Sequence, residues 1–501
     1  MREPRYDFAA KKVLIMGLGR FGGGVDVAEF AARAGAKVIV TDLASSEQLS
    51  NSIDKLEEFP DIEFHLGSHD PADFMQADVI IANPAVPGDN EFLQLARRSN
   101  KFVTSQINIF FELCPTKIIG ITGANGKSTT TALTAHLLKH AGDQRRATSD
   151  EHVIASPSLR SRINSAKQSQ TTQYAIRNTQ YETVWLSGNI GNQPLLTILD
   201  KIKADDLVVL ELSSFQLEQL AQIAKAPKVA LLTNLTPNHL DRHVTFENYC
   251  AAKENIFKYQ KLNDKVPAVS IFNSEDKIAA EWFEKYRKDS GRICIRFSTE
   301  DVSQDIRESF TLPGLANLSN LAAAIAISRH FGLDDEHIKK SLPEFKPLPH
   351  RLEFIAEING VSWYSDSIAT TPQSAIAALE AFDKPKIIIA GGYDKNLPFD
   401  ELGQKIAANA KTAVLLGQTA SKIASAIQLF PQAGTKIQVV NSLSEAVQSA
   451  AHFAEPGDVV LLSPACASYD MFENFQHRGQ EFTKLVRAIS NKRAGSQSEC
   501  T

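Results

Sequence analysis

Apolar residues in this chain come in short runs, each followed by a glycine-bearing polar turn and then by a stretch with apolar positions at helical spacing. The first run is Val13 to Met16. It leads through Gly17, Gly19 and Gly22 into a helical stretch ending near Ala34, and a second run, Val38 to Val40, stops at Asp42. That order predicts a βαβ unit. A further run, Val79 to Ala82, is cut off by Asn83-Pro84, so residues 1–115 read as a small parallel α/β domain.

The pattern repeats twice more. Lys117 to Ile121 predicts a strand that turns through Gly123-Ala124-Asn125-Gly126 into a helix carrying Leu133 and Leu137 on one face. Leu207 to Leu212, Val229 to Leu232 and Val269 to Phe272 predict further strands. Residues of about 143–182 are rich in Gln, Ser, Thr, Arg and Asn without an apolar period, which predicts a flexible insertion. Pro343, Pro347 and Pro349 cannot continue a helix and mark a linker. Beyond it, Lys386 to Ala390, Ala413 to Leu416, Ile437 to Val440 and Val459 to Leu462 predict the strands of a third α/β block, and the polar residues after Asn491 a frayed tail. The expected architecture is α/β in three domains, 1–115, 116–346 and 347–501.

Composition agrees with this division. A chain of 501 residues exceeds what one core ordinarily supports. Its 43% apolar and 22% charged residues are those of a soluble globular protein, and no apolar run approaches the roughly 18 residues of a membrane span. A net charge of -5 without a basic stripe argues against nucleic acid as a partner. Cys114, Cys250, Cys294, Cys466 and Cys500 are scattered with no CxxC pair, and the N-terminus lacks a signal-peptide pattern. Reduced thiols in the cytoplasm are the expectation.

Chemistry enters at two glycine-rich turns. Gly126-Lys127-Ser128 lies between a strand and a helix, where backbone N–H groups cradle phosphates, a lysine meets the terminal phosphate and a hydroxyl reaches Mg²⁺. The eight-residue form of that motif starts with glycine, whereas this chain has Ile121 there; a turn with a solvated lysine is the plain alternative. Glu211 and His239 fall at or just past strand ends, the place where open α/β sheets gather ligands. Taken singly, each is more often a solvated or capping group than a ligand, and a lone helix lysine such as Lys253 is nearly always solvated. At the other turn, Gly17-x-Gly19-x-x-Gly22 with Asp42 beyond it fits the dinucleotide fingerprint, so an NAD-dependent oxidoreductase competes on this block alone with a UDP-binding domain and with a Rossmann-type turn that holds nothing.

Several segments taken together resemble one family. Thr122-Gly123-Ala124-Asn125-Gly126-Lys127-Ser128-Thr129 is similar to the loop of the Mur ligases and their folylpolyglutamate synthase relatives. Glu211 to Glu218, Thr233-Asn234 through His239-Leu240-Asp241-Arg242, Ala251-Ala252-Lys253, Pro349-His350-Arg351 and Ser463-Pro464-Ala465-Cys466-Ala467-Ser468 follow in that family's order. Phe472, Asn474-Phe475 and Arg478-Gly479 bring the C-terminal segment nearest to its glutamate-adding member. The resemblance covers nearly the whole chain apart from the insertion and the termini.

It implies a Rossmann-like UDP-binding domain, a central P-loop-type ATPase domain and a Rossmann-like C-terminal domain. The implied activity is ATP-dependent ligation of glutamate to UDP-N-acetylmuramoyl-L-alanine through an acyl phosphate, in peptidoglycan precursor synthesis. D-glutamate is the expected isomer and L-glutamate the alternative. ATP would meet Gly123, Asn125, Gly126, Lys127, Ser128, Thr129, Asn317 and Asn320, with Arg351 and Asp366 from the third domain. Ser128, Glu211, His239 and a carbamoylated Lys253 would hold Mg²⁺, and Lys127, His239 and Lys253 form the implied catalytic set. Gly19, Arg20, Phe21, Asp42 and Asn189 would face UDP; Thr370, Lys395, Ser463 and Phe472 would surround glutamate, with Lys395 and Ser463 on its carboxylates. The implied partners are these three substrates, and the implied state is a monomer. Two residues depart from the family pattern: Ala316 stands where histidine is usual, and Ile368 stands where many D-glutamate-adding members have lysine. The competing classes are the oxidoreductase, a folylpolyglutamate-type ligase and a binding protein without catalysis.

Overall fold

The computed structural model describes residues 6–20, 22–149, 181–190 and 194–497. The central strands form where the apolar runs are buried on both faces, as a parallel sheet covered by helices requires, while edge strands such as Glu63–Leu66 and Lys436–Val439 are only partly buried. The first sheet holds β1 (Lys12–Met16), β2 (Lys37–Asp42), β3 (Glu63–Leu66), β4 (Val79–Ala82) and β5 (Phe102–Thr104), in the order β3-β2-β1-β4-β5. All its pairings are parallel. The order reverses between β1 and β4, which opens a crevice at their carboxyl ends beside Gly17.

The second sheet holds β6 (Lys117–Thr122), β7 (Val184–Gly188), β8 (Leu207–Glu211), β9 (Val229–Leu232), β10 (Ala268–Asn273) and β11 (Arg292–Phe297). Its order is β11-β10-β9-β6-β8-β7. The central strand β6 lies between β8 and β9, with Ile121 opposite Glu211 and Thr122 opposite Leu232. That register sets the end of β6 directly beside a carboxylate.

The third sheet, β12 (Glu353–Ile358), β13 (Val361–Ser365), β14 (Lys386–Ala390), β15 (Ala410–Leu415), β16 (Lys436–Val439) and β17 (Val459–Leu462), has the order β12-β13-β17-β14-β15-β16. β12 is antiparallel to β13, and Asn359-Gly360 between them takes positive φ at both residues, the two-residue hairpin turn that matches strand twist. Ser365 lies opposite Leu462 in the register, so the loops after β13 and β17 leave the sheet side by side.

The chain divides into two compact units. The first holds sheets one and two and comprises Met1–Ser303 with Asn320–Ser341; the second holds sheet three and comprises Gln304–Ser319 with Leu342–Thr501. Within the first unit one apolar cluster runs from Tyr6 and Phe8 to Phe272 and Tyr286. Buried Asp26 also ties its parts together, accepting from the N–H groups of Leu195, Leu196 and Thr197 at 3.1, 2.8 and 3.0 Å and from Gln106 Nε2 at 2.6 Å. The insertion expected at 143–182 lies mostly outside the described residues. The tail expected to fray after Asn491 instead continues the helix Phe475–Gln497. Polar composition did not stop it, because straight-chain and small residues such as Lys492, Arg493 and Ala494 are good helix formers.

Candidate functional site

The phosphate loop is built by close approach of backbone to side chains that only glycine permits. Gly123 has φ +152° and a Cβ there would lie 1.9 Å from Thr233 Oγ1; Gly126 has φ +79° and its Cβ would lie 2.0 Å from Asn320 Oδ1. The loop is pinned to the turn after β9. Ala124 N–H donates to Asn234 O at 2.8 Å, Asn125 N–H to Asn234 Oδ1 at 2.9 Å, and Thr233 Oγ1 to Asn125 O at 2.6 Å. Asn273 Nδ2 in turn donates to Thr233 O at 2.8 Å. Asn320 joins from the helix Leu315–His330, accepting from Thr130 Oγ1 at 3.3 Å.

Lys127 begins the helix Lys127–Ser149 and folds its ammonium back on the loop, donating to Gly123 O at 3.1 Å and Ala124 O at 2.9 Å. The first-turn N–H groups of a helix have no carbonyl partner within it and attract anions. Ser128 and Thr129 sit buried in that turn. Asn125, at the loop's exposed tip, completes the set expected there.

Next to this loop, two ionisable side chains lie deep in the core. Glu211 ends β8 and is 2% exposed. Its Oε1 accepts from Asn189 Nδ2 at 3.0 Å, while Oε2 is buried and accepts no hydrogen bond among the described residues. Lys253, on the helix Phe246–Lys258, is likewise 2% exposed and donates to Thr122 Oγ1 at 3.0 Å. Burial pushes the Lys253 ammonium well below the usual lysine range, the charge of Lys127 pushes it further, and Glu211 opposes both. Thr122, which sequence reasoning passed over as a site residue, anchors this lysine and itself donates to Leu212 O at 2.7 Å.

His239 is exposed in left-handed backbone, φ +52°, as the cap of the helix Leu240–His243, its ring 5.2 Å edge-on to Phe215. The buried histidine of that turn is His243, held by Ser214 Oγ at 2.9 Å and stacked on Phe215. Arg242 lies over the same ring and donates to Ala85 O at 2.7 Å and Val86 O at 3.1 Å in the loop after β4. It thereby fixes the two sheets of this unit to each other beside the crevice.

In that crevice Gly19 N–H donates to Asp42 Oδ2 at 3.1 Å, and Asp42 Oδ1 accepts from Ala44 N–H at 2.9 Å. Asp42 thus lies at the glycine turn, as the fingerprint requires. Arg20 is exposed there, and Phe21 lies outside the described residues.

The remaining expected residues belong to the second unit. Asp366 and Ser463 meet where β13 and β17 end, Ser463 Oγ donating to Asp366 Oδ2 at 2.9 Å. Asp366 is 7% exposed, and burial raises its carboxyl to about 7 against the opposing pull of Ser463, Leu352 N–H, Arg351 and Arg478. With its proton directed at Asp366, Ser463 reaches a ligand carboxylate only by releasing that bond. Arg478, 3% exposed, laces the two loops: Nε to Ser367 Oγ at 3.0 Å, Nη2 to Ser367 O at 2.8 Å and Cys466 O at 3.1 Å, and Nη1 to Ala467 O at 3.3 Å. Its partners are more than a hundred residues away on one side, so nothing local in the sequence marks it. Thr370 precedes the capped helix Pro372–Leu379, Lys395 is exposed after β14, and half-buried Phe472 packs against the sheet and lies 5.7 Å from His477. Asn317 binds Pro313 O at 2.8 Å and falls in this unit, whereas Asn320 falls in the first.

A strand–glycine loop–helix on a parallel sheet, with a lysine at the helix start and a buried carboxylate on the adjacent strand, has the build of a P-loop nucleotide-binding enzyme. Three family profiles match the chain: MurD-like N-terminal domain over residues 11–105, Mur ligase middle domain over 121–312, and Mur ligase glutamate ligase domain over 350–466. The UDP-N-acetylmuramoylalanine–D-glutamate ligase of Roseiflexus sp. (strain RS-1) is 37% identical over 96% of this chain and 99% of its own. The protein of the same name from Clostridium tetani (strain Massachusetts / E88) is 36% identical over 96% and 97%. The fold is shared with the UDP-N-acetylmuramate-alanine ligase MurC of Thermotoga maritima, at TM-score 0.57 and 18% identity over 96% of this chain and 100% of that one. It is also shared with MurF of Acinetobacter baumannii, at TM-score 0.53 and 15% identity over 97% and 93%. The chain belongs to the Mur ligase family.

Proposed function

We propose that this protein is an ATP-dependent ligase that adds D-glutamate to UDP-N-acetylmuramoyl-L-alanine. The observation that carries the reading is the cluster at the end of β6: a pinned phosphate loop with Lys127, flanked by Glu211 with a bare buried carboxylate oxygen and by the buried amine of Lys253. The relatives' printed names supply the substrates. Residues 1–115 would hold the UDP substrate through Gly19, Arg20, Phe21 and Asp42, with Asn189 reaching across from residues 116–346, which would hold the ATP, and residues 347–501 would hold the glutamate.

The chemistry follows from what amide formation needs. A carboxylate oxygen of the alanyl group attacks the γ-phosphorus of ATP and ADP leaves; the glutamate amine then attacks the acyl carbon, loses a proton, and phosphate leaves. Negative charge accumulates at both steps, so catalysis rests on positioning and charge neutralisation. An arriving phosphate displaces Lys127 from the two loop carbonyls that now hold it. The bare buried oxygen of Glu211 fits a cation such as Mg²⁺, to which Ser128 and His239 would add a hydroxyl and an imidazole. Bound there, the metal supplies Lewis-acid neutralisation of phosphoryl oxygens. Lys253 fits a carbamate, since burial lowers its ammonium pKa and so favours the neutral amine, the form that adds CO₂, releasing a proton and gaining carboxylate-like oxygens.

Arg351, Asp366, Asn317 and Asn320 are assigned to the nucleotide, and Thr370, Lys395, Ser463 and Phe472 to glutamate. L-glutamate stays as a second reading on the strength of Ile368. Incubation with ATP, UDP-N-acetylmuramoyl-L-alanine and hydroxylamine, without glutamate, tests the reaction class. Formation of the substrate hydroxamate with stoichiometric ADP is expected, and hydroxamate absent while ligation proceeds normally would overturn the acyl-phosphate route.

A further inference from the structure

At the opposite end of the second sheet from the phosphate loop lies a cavity of about 570 Å³. Lys117, Lys225, Lys228, Lys261 and Lys265 line it. Three of these sit at strand starts: Lys117 opens β6, Lys228 precedes β9, and Lys265 leads into β10. Parallel strands therefore carry lysines to one rim while their other ends carry the reaction site.

Carboxylates do not balance the charge. Asp264 is the one acidic residue in the lining and pairs with Lys228 at 2.9 Å, and Glu112 lies 3.8 Å from Lys225. Among the described residues, no carboxylate comes within ion-pair distance of Lys117, Lys261 or Lys265. This surplus sits in a chain whose net charge is -5. Burial lowers the Lys117 ammonium from its usual range, and the charge of Lys228 lowers it further, a sign of crowded like charge. Part of the wall is apolar, with Ile118, Pro227 and Val266, and Tyr259 adds a ring.

We propose that this cavity is a second anion site that binds a small polyphosphate, a metabolite bearing two or more linked phosphoryl groups, apart from the reaction centre. The volume of this open cleft suits a small molecule, whose sites typically measure about 300–1,000 Å³. Ammonium groups on flexible stems converge on phosphoryl oxygens as point charges without needing bidentate geometry. Lys117, Lys261 and Lys265, none within ion-pair distance of a carboxylate although Asp264 attracts Lys261 from farther off, favour a polyvalent anion over a single sulfate or carboxylate.

Titration calorimetry with inorganic tripolyphosphate tests this on the full chain, its ATP site filled by a non-hydrolysable ATP analogue and magnesium. One additional site is expected, weakened at least tenfold by Lys261→Glu with Lys265→Glu, and by raising salt from about 50 to 200 mM. Inorganic sulfate should bind at least tenfold more weakly than tripolyphosphate. Both substituted lysines are exposed and lie outside the reaction site, so ligase activity without the probe should be unchanged in that variant. Lys117→Gln, which removes charge without reversing it, should weaken binding in the same direction. Absence of binding at millimolar tripolyphosphate, or equal affinity in both variants and the parent, would overturn the proposal.

Discussion

Lys253 donates to Thr122 Oγ1 at 3.0 Å from inside the core, so a lysine that sequence alone would leave in solvent ends at the strand that feeds the phosphate loop. Lys253→Ala should lower ligation by roughly 10²-fold or more, the scale of losing a preorganised charged group. Acetate or another short carboxylic acid should restore part of the rate by supplying the oxygens that the carbamate would bring. Phosphate release with and without acetate is the measurement; a near-normal rate in the variant would contradict the assignment.

Gly126→Ala combines positive φ with a Cβ placed 2.0 Å from Asn320 Oδ1. The loop must shift, and ATP affinity should fall at least about 30-fold, or about 2 kcal/mol. Binding of UDP-N-acetylmuramoyl-L-alanine, assigned to the first sheet, should change less than about threefold. Calorimetric titration with each ligand separates the two, and equal losses would indicate general unfolding.

Arg478 is a positioning residue for the loops after β13 and β17. Arg478→Ala leaves the Ser367 and Cys466 carbonyls buried without their donor, while Ala467 O keeps the Tyr393 N–H at 2.9 Å, at a cost on the order of 3 kcal/mol in urea unfolding. Lysine has no planar fork to reach both segments and should recover less than half of that. In Arg478→Lys, KM for glutamate should rise well before KM for the UDP substrate; equal changes would contradict the positioning role.

Asp366 gives stability a pH dependence of known sign. The folded carboxyl holds its proton up to about 7, whereas the unfolded one releases it near 3.8, so the unfolded state binds fewer protons in between. Its contribution is therefore most favourable below about 4 and declines as pH rises to about 7, by on the order of 4 kcal/mol. His330, lowered to about 4 by burial and by Lys117, acts in the opposite sense over part of that window. Subtracting the curve of Asp366→Asn isolates the aspartate: the difference should shrink as pH rises from 4 to 7, and a flat difference would contradict it.

Much of this fold is written in the chain because buried parallel strands must be apolar and their turns must contain glycine. Val13 to Met16, Lys117 to Ile121 and Val459 to Leu462 could hardly be read otherwise. The hairpin Glu353–Ser365 escaped, since β12 leaves Phe354 53% exposed and lacks a clean alternation, although Asn359-Gly360 carried a turn signal. The phosphate loop was legible from its own residues. The partners that shape it were not: Thr233, Asn234 and Asn320 act across 108 to 190 positions, and Lys253 reaches Thr122 across 131. Such contacts follow from sheet order, which one sequence does not display; family resemblance pointed to Asn320 and Lys253 as site residues but not to Thr122 or to the contacts themselves.

The glutamate isomer is where the central claim is most exposed, because Ile368 occupies a position that is lysine in many D-glutamate-adding members. Enantiomers present two carboxylates and an amine with opposite hand, so a site that fixes all three accepts one and rejects the other. The direct measurement is phosphate release by the purified protein with ATP, magnesium, UDP-N-acetylmuramoyl-L-alanine and each glutamate isomer in turn. Turnover with D-glutamate and at least about 100-fold less with L-glutamate is the predicted result; turnover confined to L-glutamate, or none with either isomer, would contradict it.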